Sequence, residues 1–384
     1  MSQWFHRNPL KATNAIGFEL KGILSTPETG KICSELRLRR QHLLELLADA
    51  NNDGGLVETE FNKCLTLFHG FLYAVDDKGG DSKLRHLIKY KWSQSVLGLN
   101  PTEAGDSWFE ALNLCVTVAL WQSKHAARLA AKEEVSETEA KAVHSALRRA
   151  AGIFAFVQQM KGQLSDSPEK GGDLDGSVLS AYVAQCTAEA QEVTVARAIE
   201  LKHSPGLISS LAAHTSKLFV DADLFLAKQD PAQFDRWRKY LQLKAHFYSA
   251  YAYAYRGEAL LAEDKCGDAV RACKQGIESF GIAEELCKAY SQSKGAGGKT
   301  VKPERHKFFR RIQPILQRHL EKAERENGFI YHQKVPDELP SLEEKATHGL
   351  VTPQEFQLPP KADLWTTHSY VNFDISKGKT PDFK

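Results

Sequence analysis

The chain has 384 residues, of which 42% are hydrophobic and 26% charged, and its formal net charge is +2. So even a balance excludes a global field drawing the protein to nucleic acid or an anionic membrane, and leaves only local basic patches to consider. At this length a protein built around ordinary cores would split into two or three domains, but a stack of helices grows in one dimension and escapes that limit. No run of 18 apolar residues is present and no apolar h-region follows Met1. Neither a membrane span nor a secretion signal is therefore expected. Ser2 excludes N-myristoylation, and no cysteine stands four from the end at Lys384, so no prenylation box is expected. The seven cysteines (33, 64, 115, 186, 266, 273, 287) form no C-x-x-C pair and sit among apolar helical positions. Buried, reduced thiols of a cytoplasmic protein are the reading.

Along the chain, residues 1–30 carry Pro9, Gly17, Gly22, Pro27 and Gly30, and Phe18, Leu20, Ile23 and Leu24 suggest one or two short strands. From Lys31 the apolar residues recur at three and four (Leu36, Leu43, Leu44, Leu47), and Asn51-Asn52-Asp53-Gly54-Gly55 ends that helix. A second helix is predicted over about 57–74, and Lys91-Trp92 lie in a segment that pairs or loops. A long helix begins near Thr102. The next opens at Ser136-Glu137-Thr138-Glu139, a capping box with Ser136 as cap and Glu139 at N3. Residues 165–172 are a loop.

Residues 175–228 form a helical hairpin broken at His203-Ser204-Pro205-Gly206; its first arm contains Ala188-Glu189-Ala190-Gln191-Glu192, free of Gly and Pro and rich in helix formers. Residues 234–290 form another pair with a break at 264–267. There Gly257, Leu260 and Gly267-Asp268-Ala269 follow the order of a degenerate tetratricopeptide repeat. A last helix covers about 303–325, and the final sixty residues are Pro-rich yet keep apolar anchors such as Val351, Phe356 and Trp365. Such anchors predict an extended C-terminal strap along the helices.

Catalytic signatures are few. Gly295-Ala296-Gly297-Gly298-Lys299-Thr300 resembles the end of a phosphate loop, but Ser293 stands where the required earlier Gly belongs and Pro303 follows. No G-x-S-x-G elbow or H-E-x-x-H occurs, and the fourteen histidines pair with no His or Cys at metal-ligand spacing. No enzyme, cofactor or metal is expected. Arg37-Leu38-Arg39-Arg40 and the cluster Arg305-His306-Lys307 with Arg310-Arg311 are the local basic patches, without interleaved aromatics for base stacking.

Four separate pieces carry a family resemblance: Trp4-Phe5-His6-Arg7-Asn8-Pro9-Leu10-Lys11, the Ala188–Glu192 segment, Trp237-Arg238-Lys239-Tyr240, and Asn327-Gly328-Phe329-Ile330-Tyr331-His332-Gln333-Lys334-Val335-Pro336. Together they resemble the Bro-one (BRO) domain, the module of Alix and of yeast Bro proteins, over residues 1–370, with 371–384 as a tail. The bare layout is similar to members that hold little beyond the domain. Those relatives end in a charged linker and a prenylation box, neither of which is seen through Lys384. The resemblance implies a mainly α, boomerang-shaped fold with tetratricopeptide-like hairpins, a small β-sheet near one end and the Pro-rich strap. It implies a non-enzymatic adaptor that binds the C-terminal amphipathic helix of ESCRT-III subunits, chiefly the charged multivesicular body protein four group, at endosomal or nuclear-envelope membranes. The competing reading is a membrane-curvature scaffold with a convex basic face on an anionic membrane surface.

A helix-in-groove site needs two packed helices with apolar residues open between them. Leu179, Tyr182, Val183 and Cys186 share one stripe of the hairpin's first arm, and Leu207, Ile208 and Leu211 share one on its second. Leu147 and Arg148 of the preceding helix flank the expected groove, the arginine placed to pair with acids of the incoming tail.

Overall fold

Proline and polar caps start most of the helices, and the computed structural model shows each start in place. It describes residues 4–20, 22–76, 78–132, 135–294, 302–343 and 345–377. Thr26 caps α1 (Pro27–Leu47) in a reciprocal box with Thr29, and Asp53 caps α2 (Gly54–Leu72). Next come the strands β1 (Tyr90–Gln94) and β2 (Gly98–Ala104), then α3 (Ser107–Ala130) and α4 (Glu137–Met160). The Ser136–Glu139 box holds in both directions: Glu139 N–H donates to Ser136 Oγ at 3.2 Å, and Ser136 N–H to Glu139 Oε2 at 2.9 Å.

The hairpin is α5 (Gly176–Glu200) and α6 (Pro205–Leu226), the latter capped by Ser204 with Pro205 in its first turn. The second pair is α7 (Pro231–Ala262) and α8 (Cys266–Gln292), followed by a short α9 (Lys307–Arg310), α10 (Ile312–Glu326) and α11 (Thr367–Val371). The fold is mainly α with one small antiparallel sheet.

Two expectations need correction. Among the described residues of 18–24 no strand forms, and Leu24 makes an isolated bridge to Phe373. The stretch at Thr102 is β2, paired to β1 through Trp92↔Thr102, and the helix starts at Ser107. Pro101 ends any helical pattern in what precedes it. Past residue 370 the chain stays packed, with Phe373 buried and Asp374 N–H donating to Ile23 O at 2.9 Å. Gly295–Thr300, the phosphate-loop look-alike, lies outside the described residues, as does 378–384.

The chain divides into two interleaved compact units. One comprises residues 9–125, 152–179 and 355–384. Its organising charge is Glu110, fully buried, which accepts from Arg40 Nε at 2.6 Å and from Trp92 Nε1 at 2.6 Å. The strap locks on here through Trp365, whose Nε1 donates to Leu67 O at 2.6 Å. A Cβ at Gly70 would fall 2.5 Å from that indole, so only glycine lets the ring lie on α2. Arg39 pairs with Glu60 at 3.2 Å. The 37–40 cluster is thus largely committed to ion pairs inside the fold rather than standing as an open basic patch.

The other unit comprises residues 1–8, 126–151 and 180–354. The tetratricopeptide-like pairing is real: a Cβ on Gly257 of α7 would sit 2.3 Å from Cys273 Sγ on α8, so the two helices meet at backbone distance. All seven cysteines are buried free thiols; burial pushes the Cys33, Cys64 and Cys273 thiols up to about 12, well away from the reactive thiolate range.

Candidate functional site

The segment Ala188–Glu192 of α5 is a three-way anchor. Glu189, fully buried, accepts from Arg7 through both oxygens (2.9 and 2.7 Å), from Tyr240 Oη at 2.7 Å and from Gln185 Nε2 at 3.0 Å. Glu192 accepts from Lys244 of α7 at 2.8 Å, with both side chains fully buried. Gln191 holds the strap, its Nε2 donating to Gly349 O at 2.9 Å and its Oε1 accepting from Val351 N–H at 2.8 Å. Two of the pieces that carry the family resemblance, the N-terminal Arg7 and the helix α5, are therefore one hydrogen-bonded structure.

Most residues expected in a groove prove to be interior. Leu147, Leu179, Ile208, Leu211 and Cys186 are each 2% exposed or less. Tyr182 is buried with its hydroxyl accepting from Asn8 Nδ2 at 2.7 Å. Val183 is half-buried. Leu147 packs with Val143, Ala190 and Val351, so the strap itself covers that ridge. Arg148 binds the strap rather than standing open: its Nε donates to Thr352 O at 2.8 Å, and its own carbonyl accepts from Gln354 N–H at 2.9 Å. The stripe from 179 to 186 lies on the half of α5 that other segments enclose.

The open surface lies farther along the same helix. A cavity of about 410 Å³ is lined by α4 (Ala140, Lys141, His144), the last two turns of α5 (Val193, Thr194, Ala196, Arg197), Leu207 and Leu211 of α6, and the strap at His348 and Gly349. Of the nine residues expected in a groove, Leu207 and Leu211 reach it, and only Leu207 is more than marginally exposed. Leu211 forms the floor, where Gly349, at φ +85, lets the strap backbone pass; a Cβ there would lie 3.4 Å from Leu211. The rim is polar and mixed in sign, with Lys141 and Arg197 against Glu137 and Glu200. Burial, and then Arg148, hold the His144 imidazole below its ordinary range, which favours its neutral form. An apolar floor with a charged rim is the chemistry that receives an amphipathic helix.

The sequence reading missed Ala140, Lys141 and His144 on α4 and Val193, Ala196 and Arg197 on α5. A signal was available: Ala140 and His144, like Val193 and Arg197, are four apart on one face of their helices.

Comparison with known proteins identifies the family. Residues 27–375 match the BRO1-like domain. The chain belongs to the BRO1-like domain family. It is 52% identical over 394 residues to the BRO1 domain-containing protein BROX homolog of Caenorhabditis elegans, covering 100% of this chain and 92% of that protein. It is 46% identical over 383 residues to the human BRO1 domain-containing protein BROX, covering 100% of this chain and 93% of that one. Among solved structures, the ALIX BRO1 CHMP4C complex aligns with TM-score 0.69 at 18% identity, covering 94% of this chain and 98% of that chain. A Bro1 domain described under "Structure basis for endosomal targeting by the Bro1 domain" aligns with TM-score 0.70 at 19% identity, covering 97% and 99%. At those identities the likeness is one of fold, and it establishes this chain's as that of a BRO1 domain. No helix among the described residues is long and apolar enough to cross a membrane, and no group of three or more His, Cys, Asp or Glu among them could hold a metal ion.

Proposed function

We propose that this BRO1 domain is a non-enzymatic adaptor and that the cavity between α4, α5, α6 and the strap receives the C-terminal amphipathic helix of an ESCRT-III subunit of the charged multivesicular body protein four group. The observation that carries the reading is the half-exposed Leu207 beside a small-residue stretch of α5, floored by Leu211 and rimmed by Lys141 and Arg197. Support comes from the fold shared with a BRO1 domain solved with CHMP4C and from a more distant relative, the vacuolar protein-sorting protein BRO1 of Gibberella zeae, 23% identical over 392 residues. The setting proposed is the cytoplasmic face of endosomal membranes, with the nuclear envelope as a second site of action.

A partner helix burying about 500 Å² of apolar surface gains roughly 12 kcal/mol gross. Ordering a free tail and the loss of association entropy offset much of that, so micromolar affinity follows. Avidity on an ESCRT-III polymer then raises effective binding. The membrane-scaffold reading loses half of its basis, since Arg40 is buried against Glu110 and Arg39 is paired.

Fluorescence anisotropy with a labelled tail peptide tests the proposal. Leu207→Asp should abolish binding while the circular dichroism spectrum and melting temperature stay near wild type. Undiminished binding by that variant places the site elsewhere.

A further inference from the structure

A second cavity, of about 200 Å³, opens on the neighbouring flank of α5. Helical rotation of 100° per residue puts Val193 and Arg197 on the groove flank and Val195 and Ile199 on the other. Ala196 and Glu200 line both cavities and form the crest between them. With only a methyl group at Ala196, that crest is a low saddle which a helix laid across α5 can straddle.

The walls of the second cavity are aromatic. Phe247 and Tyr251 of α7 lie with ring centroids 5.4 Å apart, and Phe308 of α9 stands 5.3 Å from Phe247. These edge-to-face contacts brace one another, so the box is preformed and a guest need not pay to open it.

Its polar groups are unbalanced in a definite sense. The two acids are already engaged, Glu192 with buried Lys244 at 2.8 Å and Glu200 with Arg197 at 3.3 Å. The Tyr251 hydroxyl makes no hydrogen bond among the described residues, and neither does the exposed Arg311 guanidinium, which has no ion pair there either. Burial raises the Tyr251 phenol, keeping it a donor at neutral pH, while the nearby Arg311 charge pulls the other way. An apolar box with a spare phenol and a spare guanidinium has the donors for one acceptor group, and a carboxylate matches both.

We propose that this cavity is a second subsite for the same partner, taking a large apolar side chain accompanied by a carboxylate: the side chain fills the aromatic box and the carboxylate accepts from Tyr251 Oη and Arg311. The assignment rests on the groove reading, since the two cavities meet at Ala196 and one helix crossing that saddle serves both. The carboxylate comes from the tail's own C-terminus or from an Asp or Glu beside the anchor; the chemistry is shared.

The test has two arms on the full chain. In the first, N-acetyl-phenylalanine and N-acetyl-leucine are titrated at millimolar concentration by ligand-observed NMR, each against its amide. The acids should bind at least about fivefold more tightly than the amides. Tyr251→Phe and Arg311→Ala should each reduce that preference, the double variant should erase it, and Leu207→Asp should leave it intact. Equal binding of acid and amide, or a preference surviving in the double variant, overturns the subsite.

In the second arm, Arg311→Ala should weaken the ESCRT-III tail peptide roughly five- to tenfold, where Leu207→Asp abolishes binding. Amidating the peptide C-terminus reproduces the Arg311→Ala loss if the α-carboxylate is the source and leaves affinity unchanged if a side chain is. If the acids behave as stated but tail affinity ignores Arg311→Ala, the claim of a shared partner is overturned. Should no tail bind even the wild type, the groove reading falls and the shared-partner claim falls with it, while the first arm still decides the cavity's chemistry.

Discussion

The stretch 189–192 of helix α5 and its last two turns are built for opposite purposes. In the first, Glu189, Gln191 and Glu192 are at most 1% exposed, and each fixes a different part of the chain: the N-terminal Arg7, the strap at Gly349–Val351, and Lys244 of α7. In the second, Val193, Thr194, Ala196 and Ile199 are only partly covered, and Arg197 and Glu200 are exposed. A buried carboxylate is costly unless several donors satisfy it, so a segment like Ala188–Glu192 tolerates few alternatives and stands out in a sequence. A receiving surface needs only small and apolar residues with a charged edge, and many sequences provide that. The conspicuous stretch is scaffold, and the plain one is the proposed site.

Substitutions can sharpen or break this contrast. The largest effect belongs to Glu189→Ala, which leaves Arg7 buried without its partner and strips Tyr240 and Gln185 of their acceptor. A loss of about 3–5 kcal/mol in urea unfolding is the outcome; a loss below about 1 kcal/mol would make the anchor dispensable. Leu211→Asp comes next. It puts a charge where the side chain is 1% exposed, so stability should fall by about 2–4 kcal/mol, whereas half-exposed Leu207→Asp should stay within about 1 kcal/mol of wild type. Similar melting temperatures for the two would contradict the division between floor and mouth.

Gly257→Ala tests the backbone-close crossing of α7 and α8 away from the site. With Cys273 Sγ 2.3 Å from the new Cβ, overpacking should cost about 1–3 kcal/mol without changing tail affinity at the groove. Smallest of all, Gln191→Ala removes two hydrogen bonds to the strap. Each is worth about 1 kcal/mol, and the expected sign is faster hydrogen exchange at Val351 with the global unfolding midpoint little moved. Unchanged exchange there would mean that Val351 packing against Leu147 and Ala190 alone holds the strap.

Helix periodicity, the Ser136–Glu139 box and the Pro205 restart gave the helical elements directly from the residues, because caps and breakers act locally. The segment at Lys91-Trp92 reads as one that pairs or loops, but its partner β2 does not read as a strand, since Asn100-Pro101-Thr102 carries no alternation and the pairing depends on a neighbour. The groove was half legible. Leu207 and Leu211 line the proposed groove, but the stripe at Leu179, Tyr182 and Cys186 has the same spacing and is buried, with Val183 half-buried beside it. Periodicity identifies an apolar face; it does not say whether a distant segment, here the N-terminal residues or the strap, already covers it.

The most direct trial of the central claim is location. A photo-crosslinking side chain introduced as Lys141→benzoylphenylalanine stands on the rim of the cavity, and one introduced as Leu224→benzoylphenylalanine stands on an exposed position of α6 outside it. Irradiation with the ESCRT-III tail peptide should yield an adduct from position 141, suppressed by excess unlabelled peptide, and none from position 224. Equal adducts from both positions, or an adduct from 224 alone, would contradict the account.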